Sequence, residues 1–164
     1  MNFENSKLAL IKETLSINAF GFLKIPLIFF ISPRVKEISE KRVEIIVPLN
    51  WRTKNHLGSM YFGSLCTAAD VAGGLLAMRL IQQSGNGVNL VFKNFTAEFL
   101  KRPDADTHFV SEDGEKVRLL VERAIAGTER VDDTVSIAAF CPSKYGDECM
   151  ARFKLTISLK KKSK

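Results

Sequence analysis

One stretch of this 164-residue chain, from Tyr61 to about Gln83, constrains the fold more than any other. Apolar residues recur there at steps of three and four over about six turns, which is the period of an α-helix. Only Asp70 and Arg79 are charged within it, and a helix that is apolar on most of its sides must be buried. The remaining chain therefore has to supply a sheet that wraps around a central helix.

The rest of the sequence predicts the strands of that sheet. Strands grouped after one helix are typical of an α+β domain with an antiparallel sheet, and about five strands are expected. An N-terminal helix is predicted to start at Asn5 or Ser6 and to end near Asn18. Period-2 patterns predict strands at 42–50, 88–102, 107–111, 134–141 and 148–159, and helical spacing predicts a small inserted helix at 115–126.

Length and composition favour one domain over residues 1–164, with a helical, apolar extension at 1–40 and a core at 41–160. With 46% hydrophobic residues and only 10 Gly and 5 Pro, the chain is not a disordered or low-complexity protein. The net charge of +6 is spread along the chain apart from the lysine-rich end at 160–164. No zinc-finger spacing and no basic patch interleaved with aromatic residues is present, so nucleic acid is not an expected partner.

The most apolar stretch, residues 19–31, is thirteen residues long, contains Lys24 and is interrupted at Pro26. A membrane-spanning helix needs about 20 apolar residues, so no transmembrane segment is expected. Three roles stay open for the stretch: packing on the domain or at a subunit contact, a flap over an apolar ligand tunnel, or contact with a membrane surface. The chain has three cysteines, an odd number too sparse for a disulfide framework, which favours a cytoplasmic protein.

Asp70 is the residue that local physics does not explain. A carboxylate inside a buried helix costs several kcal/mol unless it is paired, protonated or next to a cavity. Two glycines in mid-helix, Gly73 and Gly74, each cost roughly 0.8–1 kcal/mol relative to alanine, so close packing or a cavity should compensate there. Three interpretations stay open: a structural carboxylate paired with an Arg or Lys, a catalytic acid or base in an apolar cleft, or a different helical register.

The start of the same helix offers hydrogen-bond donors. Backbone amides at a helix N-terminus are free and carry the positive end of the helix dipole, so those near Phe62 and Gly63 suit an anionic oxygen. Asp70 lies two turns further along, roughly 10–12 Å at 1.5 Å per residue. The two groups of one chain are too far apart to act on one carbonyl. In an antiparallel dimer, which would also close an open sheet edge, the amides of one subunit would face the acid of the other.

The residues around this helix resemble a known family, the hotdog-fold acyl-CoA thioesterases of the phenylacetyl-CoA thioesterase type. The resemblance covers about residues 40–160 and implies a hotdog fold, in which an antiparallel sheet wraps one long central helix. The segment 99–103, Phe-Leu-Lys-Arg-Pro, is similar to the family's strand-ending Phe-Leu-Arg-Pro. The N-terminal apolar segment resembles a branch of thioesterase-like proteins within that fold. The family motif is matched by Asn55, Gly58, Ser59, Gly63 and Asp70.

The resemblance implies roles for the matched residues. Asp70 is the implied catalytic carboxylate, acting as general base on water or as nucleophile on the thioester. The backbone amide of Phe62, together with that of Gly63, is implied to polarise the thioester carbonyl. Asn55 is implied to orient the water or the substrate. No cofactor is implied, because coenzyme A enters as part of an acyl-CoA substrate.

Tyr61 and Phe62 stand where the family has His-Gly, which is a departure from the motif. The backbone amide survives at Phe62, but its ring crowds the carbonyl site. The Tyr61 hydroxyl is a candidate substrate contact, unless Tyr61 is an ordinary buried tyrosine. This departure favours a rival interpretation, a non-catalytic hotdog module that binds an acyl or aromatic ligand or a partner protein.

The strand predicted at 88–102 contributes two further candidates. Counting forward from Gly87 places Asn89 opposite the site, whereas counting back from Pro103 places Lys93 there. Lys93 is expected to share a face with Phe95, so it would either pair with Asp70 and lower its pKa or extend to solvent.

Two more groups complete the interpretation. Lys101 and Arg102 are expected to contact coenzyme A phosphates. The only histidines, His56 and His108, have no partners at metal-ligand spacing, so no metal site is expected. Taken together, the sequence predicts a thioesterase that hydrolyses an acyl-CoA at sites shared by two copies, in a homodimer or a tetramer.

Overall fold

The computed structural model describes residues 6–162 of the chain. Helices and strands follow one another in the order expected for an α+β domain, with two helices before the first strand. The elements are α1 (Lys7–Lys24), α2 (Pro26–Ile31), β1 (Arg34–Ile38), β2 (Val43–Val47), α3 (Phe62–Ser84), β3 (Val88–Phe99), β4 (Thr107–Ser111), α4 (Gly114–Ala126), β5 (Val131–Phe140), α5 (Pro142–Tyr145) and β6 (Cys149–Lys161).

The strands form one antiparallel sheet in the order β1-β2-β4-β5-β6-β3. Its inner face carries the large buried side chains, among them Ile45, Phe109 and Phe153, and α3 packs against these. Alternation at period 2 puts those side chains on the helix side of the sheet and leaves the polar residues outside. The two edge strands are β1 and β3, at opposite ends of the strand order.

The central helix α3 matches the prediction within one residue at each end. It is stopped by Gly85, which takes the left-handed conformation at φ 65° that glycine adopts without strain. A Cβ at Gly73 would lie 2.8 Å from Leu155 Cδ2, and one at Gly74 would lie 2.9 Å from Phe92 Cζ. The two glycines are therefore needed because side chains of the sheet fill the space that their own side chains would occupy. Close packing, rather than a cavity, accounts for both.

The sheet has six strands, one more than expected, because residues 34–38 form β1. Their Val35 and Ile38 are buried, but these lie three positions apart in place of two, since a bulge interrupts the pairing between Val35 and Glu37. Because of this irregular spacing, residues 34–38 show no period-2 pattern, and the sequence does not predict a strand there. The sheet consequently begins before residue 41, inside the segment predicted to be an extension.

A second bulge, between Phe92 and Asn94, corrects the predicted faces of β3. After the bulge, Phe95 and Phe99 lie opposite Leu155 and Ala151 of β6, on the inner face. Before it, the odd-numbered residues lie on the outer face, so Asn89, Val91 and Lys93 do not share a face with Phe95 and Phe99. The extra residue shifts the alternation by one position and turns every earlier side chain to the other side of the sheet.

The N-terminal helix is longer than predicted. Ser6 caps α1 by accepting a hydrogen bond from the Ala9 amide, whereas Asn5 lies outside the described residues. The helix continues past Asn18 to Lys24, and Pro26 then starts α2. Within residues 6–162, α3 is the one helix whose length and composition would allow it to cross a membrane, and 72% of its most apolar window is buried in the domain.

A six-stranded antiparallel sheet that wraps one long helix, with α4 inserted between β4 and β5, is the hotdog architecture that the resemblance implied. Both additional helices expected from the sequence, at the N-terminus and near 115–126, are present. The predicted α+β class and hotdog fold are therefore confirmed.

Candidate active site

Asp70 projects from the side of α3 that packs against the edge strand β3. Two contacts bridge helix and strand: the rings of Phe62 and Phe99 lie 6.4 Å apart between centroids, and the ring of Phe92 packs on Gly74. Asp70 lies between these contacts along the helix, one turn before Gly74 and so on the same side. By this helical spacing, we infer that its carboxylate is directed towards the partly exposed aromatic side chains of β3.

No other group neutralises the Asp70 carboxylate. Burial alone raises its pKa from 3.8 to about 6, with no contribution from a hydrogen bond or a neighbouring charge. Among the described residues no donor or cation reaches it. The structure therefore does not show Asp70 as a structural carboxylate paired with an Arg or Lys, and Lys93 contacts Asp132 at 2.6 Å instead. The helical register is as predicted.

Glu44 on β2 shows how the same fold treats a carboxylate that it neutralises. It is also buried, with 6% of its side chain exposed. Burial pushes its pKa up, but hydrogen bonds from His108 and Lys36, together with the charge of Arg42, outweigh this and hold the pKa below its ordinary value. His108 Nδ1 lies 2.7 Å and Lys36 Nζ 3.0 Å from the carboxylate. This cluster lies on the outer face of the sheet. Its partners lower the pKa of Glu44, whereas burial without partners raises that of Asp70.

The N-terminus of α3 presents two unused backbone donors. Tyr61 is the N-cap but makes no side-chain cap, and among the described residues no acceptor lies within reach of the amides of Phe62 and Gly63. The entry to the helix is held in place by the Met60 and Tyr61 amides, which donate to Pro103 and Thr53 carbonyls at 2.7 Å each. These fixed donors at the positive end of a helix suit a developing negative charge.

Phe62 and Asp70 lie on one continuous helix, so the spacing estimated from the sequence applies to the structure. Eight residues of helix separate Phe62 from Asp70, which is roughly 12 Å at 1.5 Å per residue. One carbonyl group cannot contact both in a single chain. The free amides and the acid of a single chain therefore cannot act on the same carbonyl group.

Tyr61 lies over the start of α3. A Cβ at Gly63 would be 2.5 Å from Tyr61 Cε1, and the Tyr61 and Phe62 rings pack edge to face at 4.8 Å. Tyr61 is 47% exposed, so it is not an ordinary buried tyrosine. Its ring lies close to Gly63, and a contact with substrate remains a prediction.

The Asn55 side chain forms hydrogen bonds within its own loop. Its Oδ1 accepts from the Leu57 amide at 2.8 Å and the Ser59 amide at 3.3 Å, while its Nδ2 donates to Ser59 Oγ at 3.2 Å. Gly58 takes a left-handed φ of 78° in the same loop. These bonds shape the loop that leads to α3, and a role in orienting water or substrate remains a prediction.

The remaining candidates lie in two places. Asn89 and Lys93 are on the outer face of β3, away from α3, so neither faces Asp70. Lys101 and Arg102 line a groove of about 330 Å³ with Leu57 and Ser59, next to the loop before α3, and Lys101 is also paired with Glu148. Phe92 was missed as a site residue, because only the bulge turns it inward.

Within the described range, no group of three His, Cys, Asp or Glu side chains lies close enough to hold a metal ion. The three cysteines are unpaired, and burial raises the pKa of the Cys66 thiol one turn before Asp70.

A family model described as "Domain of unknown function (DUF4442)" matches residues 14–141, more than three quarters of the chain. The chain belongs to the DUF4442 family. The matched range of this DUF4442 chain runs from α1 to the end of β5 and includes Asp70, the α3 N-terminus and β3. No curated protein matches the sequence.

Solved structures resemble this DUF4442 chain over most of its length. A protein from Shewanella oneidensis, described provisionally as a thioesterase, is 13% identical with a TM-score of 0.74, covering 90% of this chain and 97% of that one. A protein of unknown function from Chlorobaculum tepidum is 12% identical with a TM-score of 0.78, covering 93% and 97%. A Pseudomonas aeruginosa protein, also described provisionally as a thioesterase, is 20% identical with a TM-score of 0.69, covering 91% and 96%. At these identities the likeness establishes the fold.

Proposed function

We propose that this protein is an acyl-CoA thioesterase whose sites form between two copies of the chain. The observation that carries the proposal is Asp70, a buried carboxylate that has no partner among the described residues. Burying a charge without a neutralising partner destabilises the folded protein. Such groups cluster at functional sites, where a carboxylate with a raised pKa can act as a catalytic base. The provisional description of two structural neighbours as thioesterases supports the same reaction class.

The edge strand β3 supports the two-copy arrangement. It pairs with β6 on one side only, and apolar side chains project along it, including Val91, Phe92 and Phe99. A long edge strand with exposed apolar residues invites pairing with another chain. In our proposal β3 pairs antiparallel with β3 of a second copy in a homodimer. This brings the free amides of one α3 opposite the Asp70 of the other.

The proposed chemistry needs one base and one oxyanion site. Ionised Asp70 takes a proton from water as the water oxygen adds to the thioester carbonyl carbon. The amides of Phe62 and Gly63 from the second copy stabilise the negative carbonyl oxygen. The carbon–sulfur bond then breaks, and the leaving sulfur takes the proton from Asp70, which gives free coenzyme A and a carboxylic acid and restores the carboxylate.

Substrate binding in this proposal uses groups on both sides of the reacting carbonyl. The acyl part lies along the side chains of Phe92, Phe95 and Phe99, which are apolar and partly exposed to solvent in the single chain. Tyr61 flanks the thioester, and Arg102 and Lys101 meet phosphates of coenzyme A at the neighbouring groove. No further cofactor is required, and the cytoplasm supplies such substrates.

The direct test is release of free thiol from a panel of short, long and aromatic acyl-CoAs by the full chain. The proposal expects turnover of at least one class above the rate without protein, and loss of that turnover in Asp70→Ala. If wild type and Asp70→Ala release thiol at the same background rate across the panel, the enzyme proposal fails and a binding module remains. Binding of non-hydrolysable acyl-CoA analogues would then measure that alternative.

The pH dependence of the reaction follows from the raised pKa of Asp70. Only the ionised carboxylate accepts a proton, so kcat/KM should rise as pH passes about 6 and level off above it. In the proposed dimer, further burial by the second copy would raise this pKa, whereas the partner's helix N-terminus would lower it. Initial rates measured between about pH 5 and pH 8 test this. A profile that is flat or falls over that range would contradict a carboxylate base at this position.

The dimer is tested on the outer face of β3, away from Asp70. Val91→Asp places a charge where an apolar side chain would be buried in each copy, which should weaken the dimer about a hundredfold. Sedimentation velocity is expected to show a dimer for wild type and a shift to monomer for the variant, with activity lost in parallel. Leu119→Asp on α4, at a similarly exposed apolar residue, is the matched control. A monomeric wild type with full activity would contradict the shared site.

A further inference from the structure

We propose that the N-terminal helices dock this protein onto an anionic lipid bilayer surface. The docking element is an apolar ridge formed by α1, α2 and the loop after β2. The ridge is built by Leu15, Phe22, Leu23, Leu27, Phe30 and Trp51, all of them exposed.

The helix α1 is apolar on two separate sides. One side, with Ile17 and Gly21, is buried against the domain. A second stripe, with Leu8, Leu15 and Phe22 spaced by seven residues, is about two-thirds exposed at each position, at 63%, 65% and 64%. A surface helix of a globular protein normally presents polar residues on its outer side. The second stripe therefore has to be explained by something that covers it.

The helix α2 extends the same surface. It buries Ile28 and Ile31 but leaves Leu27 and Phe30 exposed on its other side. The Phe30 ring packs edge to face on Trp51 at 6.0 Å, and Trp51 is 75% exposed. Aromatic side chains at the rim of an apolar surface are typical of membrane interfaces, where one end is apolar and the other is hydrated.

The charges around the ridge identify the partner. Lys7 and Lys12 lie on either side of the exposed stripe, about 70° from its centre at 100° per residue. Lys24 follows the stripe, and the Arg52 guanidinium lies 5.9 Å from the centre of the Phe30 ring. The single acid between residues 6 and 36, Glu13, is bound to Arg79 at 3.0 Å, and no acid occurs between residues 45 and 69.

This pattern favours a lipid surface over a second copy of the chain. An apolar stripe flanked by lysines is typical of a helix that lies in the interface of an anionic membrane. Burial of the apolar stripe and attraction of the lysines to the headgroups both strengthen such binding. Two copies facing each other through the ridge would bring lysines against lysines without intervening acids. The ridge also belongs to the side of the sheet that ends in β1, where α1 packs, whereas the proposed dimer uses the opposite edge β3.

The test uses the full chain and two kinds of vesicle, one of equimolar phosphatidylglycerol and phosphatidylcholine and one of phosphatidylcholine alone. Trp51 is the sole tryptophan, so its emission should shift to shorter wavelength only when the ridge enters the bilayer interface. Co-sedimentation is expected with the anionic vesicles and should weaken as salt increases.

Two double variants separate the contributions. Leu15→Ser with Phe22→Ser should weaken binding to anionic vesicles at least about a hundredfold, given the apolar area lost. Lys7→Gln with Lys12→Gln should weaken it about twenty-fivefold, or about fivefold per lysine. Leu119→Ser on α4 is the control and should bind like wild type, and thermal unfolding checks that each variant is folded.

Two results would overturn the proposal. The first is that anionic vesicles neither bind the chain nor shift the Trp51 emission. The second is that, without lipid, the Leu15→Ser, Phe22→Ser variant has a smaller mass than wild type, which would show that a second copy covers the ridge. Both outcomes are independent of thiol release, so they leave the proposed catalytic site untouched.

Discussion

Replacing Asp70 by asparagine should reduce kcat for thioester hydrolysis about a thousandfold while leaving the fold intact. Asparagine has the size of aspartate and fits beside Gly74 and the Phe92 ring, but its amide cannot accept the proton of the attacking water. The KM for the acyl-CoA should change little, because the substitution removes a group that acts in the transition state. Initial rates at a pH above 6, where wild-type Asp70 is ionised, give the comparison.

A stability measurement separates lost chemistry from lost structure. Because the folded-state pKa of Asp70 is raised, the folded protein binds a proton more tightly than the unfolded chain, and its stability falls as pH rises from about 4 to about 6. Asp70→Asn removes this penalty, so the variant should be at least as stable as wild type above pH 6. A variant that is less stable at that pH would contradict the unpaired burial of Asp70, and one that keeps more than about a tenth of wild-type kcat would remove Asp70 from the mechanism.

The second large effect concerns the backbone amide of Phe62. Phe62→Pro deletes that N–H at the first position of α3, where proline is well tolerated, and Tyr61 already has the extended φ of −66° and ψ of 138° that precedes proline. Loss of one oxyanion donor should lower kcat about a hundredfold to a thousandfold. Phe62→Ala removes the same exposed ring but retains the amide, so it is the matched control.

Kinetics of this pair distinguish backbone from side chain. If the amide stabilises the oxyanion, Phe62→Ala keeps most of the activity, or gains some by relieving the crowding of the ring, while Phe62→Pro loses it. Equal losses in both variants would show that the ring, and not the amide, matters. Wild-type activity in both would exclude the Phe62 amide as an oxyanion donor.

Mixing the two inactive variants tests whether the halves come from different chains. In a twofold dimer, a heterodimer of Asp70→Asn with Phe62→Pro has one site in which both groups are intact and one in which both are missing. Random exchange makes half of the dimers heterodimers, so about a quarter of wild-type activity should return. No recovery after verified exchange would mean that both groups act within one chain, which the spacing of roughly 12 Å opposes.

The two β-bulges explain where prediction from the sequence failed. Both the extra strand β1 and the true inner face of β3 depend on a residue inserted into the alternation, between Val35 and Glu37 and between Phe92 and Asn94. Period-2 reasoning assumes regular alternation, so a bulge hides a short strand or inverts the assignment of a long one. The consequence for the site was the placement of Lys93 beside Asp70, whereas Lys93 contacts Asp132.

Some features of the candidate site follow from the sequence, and others depend on tertiary contacts. Asp70, the amides of Phe62 and Gly63, and their separation along the helix follow from spacing on one regular element. Whether a cation would neutralise Asp70, and how the Asn55 side chain is used, depends on strands distant in sequence and on local loop hydrogen bonds. Neither is encoded in a periodic pattern.

By itself, the sequence determined the buried central helix, the sheet that must wrap it and the position of one acid on that helix. These follow from local periodicity and from the cost of exposing apolar surface, which act on neighbouring residues. Only the tertiary structure decided that Asp70 has no partner while Glu44 has three, and that the aromatic row of β3 lies beside Asp70. Those outcomes depend on strand register and on which side chains meet across the sheet, and a single bulge reverses them.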